Sequence, residues 1–246
     1  MPMLDSLNRL LHHHLPPEER LLRTWTQRHG AVLKRVRDGT GYVVVSEGRR
    51  MEWGPPQRHY LQHTELRMRI ETKMPHNTEM LVLTTSLAEQ LERQAYERLV
   101  QGQQTEMTLE LPEEMRWLAC MRQVSLESVP ALKGHFIAIG SVPAQVQNWL
   151  EGELALRLQR AVEGWLGRSG PLVLMLLRGR LYLRTEAHML DEALLDGMRT
   201  LADAALFRLE HPDLQRQATA TRIATNELDA LEVSSATMPL DWPPRE

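Results

Sequence analysis

The chain has 246 residues, of which 42% are hydrophobic and 25% charged, and its formal net charge is −3. These values are typical of a globular protein with one ordinary core or two small ones, and they exclude a chain that is disordered throughout. The negative net charge argues against a general nucleic-acid-binding protein, which needs surplus positive charge to displace counterions.

The first 53 residues are predicted to form helices and then strands. Pro16-Pro17 separates two short helices, and Asp38-Gly39 supplies the positive-φ positions of a tight hairpin turn. The predicted elements are helices at 3–14 and 17–29 and strands at 31–36, 42–46 and 49–53.

The stretch from His63 to Met74 alternates charged and apolar residues one for one. This period of two is the pattern of a strand with one buried and one solvated face, so it predicts a β-sheet. The segment from Arg178 to Glu186 repeats the pattern. If the two strands are neighbours, their polar residues share one solvated face. The arginines of that face are Arg67, Arg69, Arg178, Arg180 and Arg184, and the glutamates are Glu65, Glu71 and Glu186.

Short strands and helices alternate over the rest of the chain. The clearest helical face runs from Leu190 to Leu209, where apolar residues recur every three or four positions. The other predicted strands are 80–83, 105–111, 135–139, 171–177 and 180–185, and the other predicted helices are 86–100, one beginning at Pro112 and one over 143–165.

These patterns predict an α+β protein with an antiparallel or mixed sheet of about six to eight strands and helices packed on one side. The predicted regions are N-terminal helices in 1–30, an α+β body in 31–212 and a last region, 213–246, with a solitary helix and a disordered acidic tail. Two subdomains meeting near residue 104 are the alternative for the body.

The arginine-rich strands allow two interpretations. Guanidinium groups hold carboxylates and phosphates through paired hydrogen bonds, so the face can bind an anionic small molecule. Cross-strand Arg–Glu ladders can instead serve only solubility and strand register, and we favour this interpretation. The excess of arginine, 26 residues against 3 lysines, is itself typical of a GC-rich genome.

The segment from Met51 to Tyr60 is the second candidate site. Trp53, Arg58 and Tyr60 are residue types favoured at binding hot spots, and prolines stiffen the loop that carries them. A loop that packs its own aromatic residues onto the sheet edge is the alternative.

No cofactor fingerprint, metal signature or nucleophile motif is recognisable in the sequence. The run His12–His14 cannot converge on an ion from one helical turn, and His59 and His63, four apart on a strand, lie too far apart to share one. Ser86 is interpreted as a helix cap, and the lone Cys120 as a small buried side chain. We therefore expect no catalytic residue, no metal and no cofactor.

We expect a cytoplasmic interaction or regulatory protein without catalytic activity, acting with a protein partner or as a homodimer. A secretory signal is not visible, and the longest apolar run, Pro171–Leu177, falls far below the roughly 18–20 residues that span a bilayer. The alternative is a small-molecule or phosphate-ester-binding enzyme that uses the arginines. A pocket lined by Arg67, Arg180 and a carboxylate with a strongly shifted pKa would favour that alternative, and a flat solvated ladder would favour the first.

Overall fold

The computed structural model describes residues 15–100 and 111–211, apart from the side chains of residues 98–100. Four predictions fall outside the described residues: the helix at 3–14, the strand over most of 105–111, the division near 104 and the C-terminal region 213–246. Within the described residues, no helix is both long and apolar enough to cross a membrane.

The described residues contain nine strands and six α-helices. The strands are β1 (Val32–Arg35), β2 (Tyr42–Ser46), β3 (Arg49–Gly54), β4 (Glu65–Glu71), β5 (Met80–Thr84), β6 (Gln123–Val124), β7 (Phe136–Gly140), β8 (Leu172–Leu177) and β9 (Arg180–Glu186). The helices are α1 (Pro17–Arg28), α2 (Thr85–Val100), α3 (Glu113–Cys120), α4 (Pro143–Leu150), α5 (Glu153–Glu163) and α6 (Glu192–Glu210).

All nine strands join one antiparallel sheet in the order β1-β2-β3-β4-β9-β8-β5-β7-β6. The predicted α+β class is therefore confirmed. The two alternating strands, β4 and β9, are direct neighbours at the centre of the sheet. Strands from both sides of residue 104 share the same sheet.

The first face of the sheet is apolar and covered by four helices. Leu66, Met68 and Ile70 of β4 point to this face and belong to the larger core cluster. That cluster also contains buried apolar residues of α1, α4, α5 and α6. Leu194 and Leu201 of α6 lie on its buried side, as the helical spacing predicts.

The second face is divided. Over β5, β7 and β8 it is covered by α2 and α3, whose buried residues form a separate apolar cluster with Leu81, Val173 and Ile139. Helices thus pack on both faces here, because β5 and β8 are apolar at odd and even positions alike and so have two sides to bury. The sheet also has one strand more than the predicted range, since the two-residue β6 carries too little sequence for a pattern.

Three local predictions are corrected by the structure. The predicted helix 143–165 is two helices, because Gly152 takes a φ of 66° and interrupts the helical backbone. Ser86 lies inside α2, which begins at Thr85, and its hydroxyl donates to Ser169 O at 3.5 Å. Cys120 is exposed, since burial in α3 ends at Trp117.

Candidate functional site

The uncovered half of the second face carries the arginines. Strand register aligns Glu52 of β3 with Arg67 of β4 and Arg184 of β9 in one row. The next row joins Arg50, Arg69 and Tyr182 in the same three strands. Side chains of one row point to the same side of a sheet. We call these two rows the arginine face.

The base of the arginine face is a buried carboxylate. Glu65 is fully buried and accepts hydrogen bonds from Arg184 Nη1 at 2.6 Å, Arg67 Nη1 at 3.3 Å and the backbone N–H of Gln57 at 2.7 Å. Arg67 also donates to Pro55 O at 3.3 Å. Because these bonds fix both guanidinium groups before any ligand arrives, little side-chain entropy is lost when they bind one.

Glu52 is the carboxylate inside the arginine face. It accepts a hydrogen bond from Arg67 Nε at 2.7 Å and is also paired with Arg50. Burial alone raises the pKa of a carboxyl group, but the hydrogen bonds and charges of Arg50 and Arg67 outweigh burial and lower the pKa of Glu52. Glu52 is therefore ionised at neutral pH and neutralises part of the arginine charge.

A cavity of about 130 Å³ opens on the arginine face. Four arginines and one glutamate are among its lining residues, which include Arg50, Glu52, Arg67, Arg69 and Arg184. When the neighbouring Glu65 is also counted, arginines still outnumber glutamates by four to two. The cavity therefore carries a local surplus of positive charge in a chain whose net charge is −3.

Two of the lining arginines keep unused hydrogen-bonding capacity. The Arg69 side chain donates no hydrogen bond within the described residues, and its nearest carboxylate oxygen, Glu71 Oε1, lies at 3.8 Å. Arg184 is nine-tenths buried, yet its Nε has no hydrogen-bond partner among them. Buried polar groups normally have a hydrogen-bond partner, and the Nε atoms of Arg116 and Arg208 are unpaired in the same way elsewhere in the described residues.

The other predicted arginines lie outside the cavity. Arg180 binds Glu71 at 3.0 Å with its side chain 46% exposed, which is the arrangement of a surface ladder. Arg178 is in the turn between β8 and β9, where its φ is 51°. The predicted group of five arginines therefore divides into three that line the cavity and two that do not.

The loop after β3 docks onto α3. Arg58 Nε and the Tyr60 hydroxyl donate to Glu114 Oε1 at 3.3 Å and 3.1 Å, and Glu114 is fully buried. Burial, followed by the charge of Glu114, raises the pKa of Tyr60 far above its usual value. Arg58 also lies 3.4 Å from Glu113. Glu113 and Glu114, in the first turn of α3, thus hold this loop, and the sequence analysis did not identify them as its partners.

Trp53 points away from the loop and the arginine face. Its ring stacks on Tyr42 with ring centroids 5.9 Å apart, and it packs against the core of the first face. Trp53, Arg58 and Tyr60 therefore do not form one surface. A role for these residues in binding stays a prediction.

A larger cavity, of about 430 Å³, lies on the first face between α1, α6 and strands β2 to β4. Its basic groups are paired within the protein: Arg49 with Asp203, and Arg199 Nη1 with His29 Nδ1 at 2.8 Å. Asp196 accepts from Trp25 Nε1 at 2.8 Å beside them. Sequence analysis missed this cavity because its walls come from segments about 170 residues apart, which no local pattern connects.

Comparison with known proteins shows no family for this chain. No protein-family model matches the chain, and neither does any curated protein sequence. A solved structure, that of the mycobacterial trehalose monomycolate transport factor A, is similar with 9% sequence identity and a TM-score of 0.43. The match covers 79% of this chain and 93% of that one.

Proposed function

We propose that this protein is a non-enzymatic interaction or regulatory protein of the cytoplasm, and that its arginine face binds a phosphate or carboxylate group of a small-molecule ligand. The observation that carries the proposal is the 130 Å³ cavity in which four arginines are opposed by one lining glutamate. Guanidinium groups form paired, charge-assisted hydrogen bonds with these anions.

The size of the cavity supports a single anionic group as its occupant. Pockets that enclose drug-sized molecules measure about 300–1,000 Å³. A volume of about 130 Å³ accommodates a phosphate or carboxylate, while the rest of the ligand stays outside. The preformed positions of Arg67 and Arg184 on Glu65 support the same conclusion, because a fixed donor pair binds with less loss of entropy.

The titratable groups of the cavity favour binding over catalysis. Among the described residues, the titratable groups of its lining are Glu52, Tyr182 and arginines, and none of these lining residues is a histidine, cysteine or serine. General acid–base catalysis needs a group whose pKa lies near the working pH. The pKa of Glu52 is instead lowered, away from neutral pH, because Arg50 and Arg67 stabilise the ionised carboxylate.

A second copy of the chain has less support as the partner. The edge strand β1 is only four residues long and includes Lys34 and Arg35, and short, charged edge strands resist pairing with another chain. Homodimer formation and a protein partner therefore stay predictions of the sequence analysis.

The test compares two arginines of equal exposure. Arg69 and Arg180 have side chains 47% and 46% exposed on adjacent strands, but only Arg69 lines the cavity. Inorganic phosphate and a small dicarboxylate are titrated against the melting temperature at constant ionic strength. We expect saturable stabilisation of the wild type and of Arg180→Ala, and its loss in Arg69→Ala, because a ligand stabilises only the state that binds it.

Arg69→Ala is preferred to Arg67→Ala because Arg67 also bonds to Glu65 and Pro55 and is needed for the fold itself. Equal stabilisation of both variants, or an equal effect of chloride, would show that the arginine face is a surface ladder.

A further inference from the structure

Two histidines and a glutamate meet at one end of the strand pair β4 and β9. His63 lies two residues before β4, Glu186 is the last residue of β9, and His188 follows two residues later. Glu65 is paired with Glu186, and the Ala187 N–H donates to Thr64 O at 2.7 Å, which continues the antiparallel pairing by one residue. His63 therefore lies across from His188, on the same side of the sheet as Glu186.

The three side chains are close enough to share one ion. Their potential ligand atoms all lie within 4.8 Å of one another, and the two imidazole centroids are 3.9 Å apart. His63 Nδ1 lies 2.5 Å from Glu186 Oε1. Ligands about 2.0–2.2 Å from a tetrahedral zinc ion are separated by about 3.4 Å, so modest side-chain rotations suffice to admit the ion.

The protein backbone orients the carboxylate of this group. Glu186 Oε1 accepts hydrogen bonds from the backbone N–H groups of Gln62, at 3.1 Å, and His63, at 2.6 Å. Glu186 Oε2 receives no hydrogen bond from a described residue, so it is available to an ion. Hydrogen bonds that fix a ligating carboxylate are characteristic of protein metal sites.

We propose that His63, Glu186 and His188 bind one Zn²⁺ ion. Two imidazoles and one carboxylate are a zinc ligand set, and zinc sites with three protein ligands keep a further position for water or substrate. Both histidines are exposed, so this position faces solvent. The site goes beyond the proposed function, because none of its three ligands lines the arginine cavity.

The sequence analysis compared His63 only with His59 and did not consider His188. His59 is four residues away along the chain, whereas His188 is 125 residues away and becomes a neighbour only through the register of β4 and β9. The sequence contains His63-Thr-Glu65 and, in the reverse order, Glu186-Ala-His188, which could have suggested a cluster. Whether the two segments lie side by side, however, depends on the strand register.

The experiment is a zinc titration of the full-length chain by calorimetry. His12, His13 and His14 are replaced by alanine in every protein, so that weak zinc binding by individual histidines of this tract does not add to the titration. On that background, His63→Ala and His188→Ala remove ligands, and His59→Ala is the matched control, an exposed histidine in the segment just before His63.

We expect one zinc ion per chain in the background protein and in His59→Ala. Removing a residue that merely orients a ligand weakens metal binding by about 10–100-fold, so loss of the ligand itself in either variant should weaken binding at least as much. Zinc should also raise the melting temperature of the background protein but not of the two variants.

Two results would overturn the proposal. One is the absence of stoichiometric zinc binding in the background protein, and the other is unchanged affinity in both His63→Ala and His188→Ala. Either result would leave the three residues as an ordinary histidine–carboxylate pair with a neighbouring, tilted imidazole. Neither result changes the outcome of the anion titration, which depends on Arg69 and is a separate measurement.

Discussion

The two halves of the second sheet face have different chemistry although they belong to one sheet. Over β5 and β8, residues such as Leu83 and Val173 are buried beneath α2 and α3. Over β3, β4 and β9 no described helix covers the face, and arginines and glutamates occupy the same structural positions. The apolar half of the second face is covered by helices, whereas no described helix covers the charged half.

Buried carboxylates lie where the open half and the helix-covered half of the second face meet. Glu65 binds Arg184 on the open side, and Glu114 binds Tyr60 on the covered side. The positive charge of Arg184 also acts to lower the pKa of Tyr60, against the larger effects of burial and of Glu114. The open half therefore does not consist only of surface ion pairs. The carboxylates of Glu65 and Glu114, which lie beneath and beside it, are fully buried.

The largest effect is expected for Glu65→Ala. The substitution leaves the guanidinium groups of Arg184 and Arg67 without their buried partner, and breaking a buried ion pair costs about 3–5 kcal/mol. Denaturant unfolding measures the loss. The matched control is Glu71→Ala on the same strand and face, where the side chain is 55% exposed and a loss below about 1 kcal/mol is expected. Similar losses for both variants would mean that Glu65 behaves as a surface residue.

The next effect concerns the helix-covered first face. Leu201 is almost fully buried in α6, so Leu201→Ala should reduce the free energy of unfolding by about 2–5 kcal/mol. Leu156→Ala makes the same truncation on α5 at a side chain that is 38% exposed, and it should cost much less. Thermal and urea unfolding of the two variants test this order. A small loss for Leu201→Ala would show that α6 is not packed as described.

Much of this fold could be predicted because the strongest patterns are local. The alternation in β4 and the helical repeat in α6 each specify an element and its buried side. A second layer of helices could also have been predicted, since Leu172–Leu177 is apolar at every position and a strand of this kind is buried on both faces.

The candidate site was less accessible to sequence reasoning. The alternation assigned Glu65 to the solvated face, yet the loop that follows β3 lies over it and contributes the Gln57 N–H. Burial of that carboxylate depends on the path of the loop, which no periodicity encodes. The pairing of His63 with His188 depends in the same way on strand register.

The smallest effect is a pH dependence at Glu52. Burial disfavours its charged form, but Arg50 and Arg67 stabilise that form more strongly, so the pKa of Glu52 is lower in the folded chain than in the unfolded one. Such a carboxylate stabilises the fold above the unfolded pKa, about 4.3, and this contribution disappears as the pH falls through the folded pKa.

Glu52→Gln removes that contribution and should cost about 1 kcal/mol at pH 7. Urea unfolding between pH 7 and pH 3 should show the difference between wild type and variant shrinking below about pH 4.3. A difference that stays constant over this range would contradict the assignment, because it would mean that Glu52 stabilises the fold without its charge. In that case Arg50 and Arg67 would be held by other groups, and more of their positive charge would remain available to an anion in the cavity.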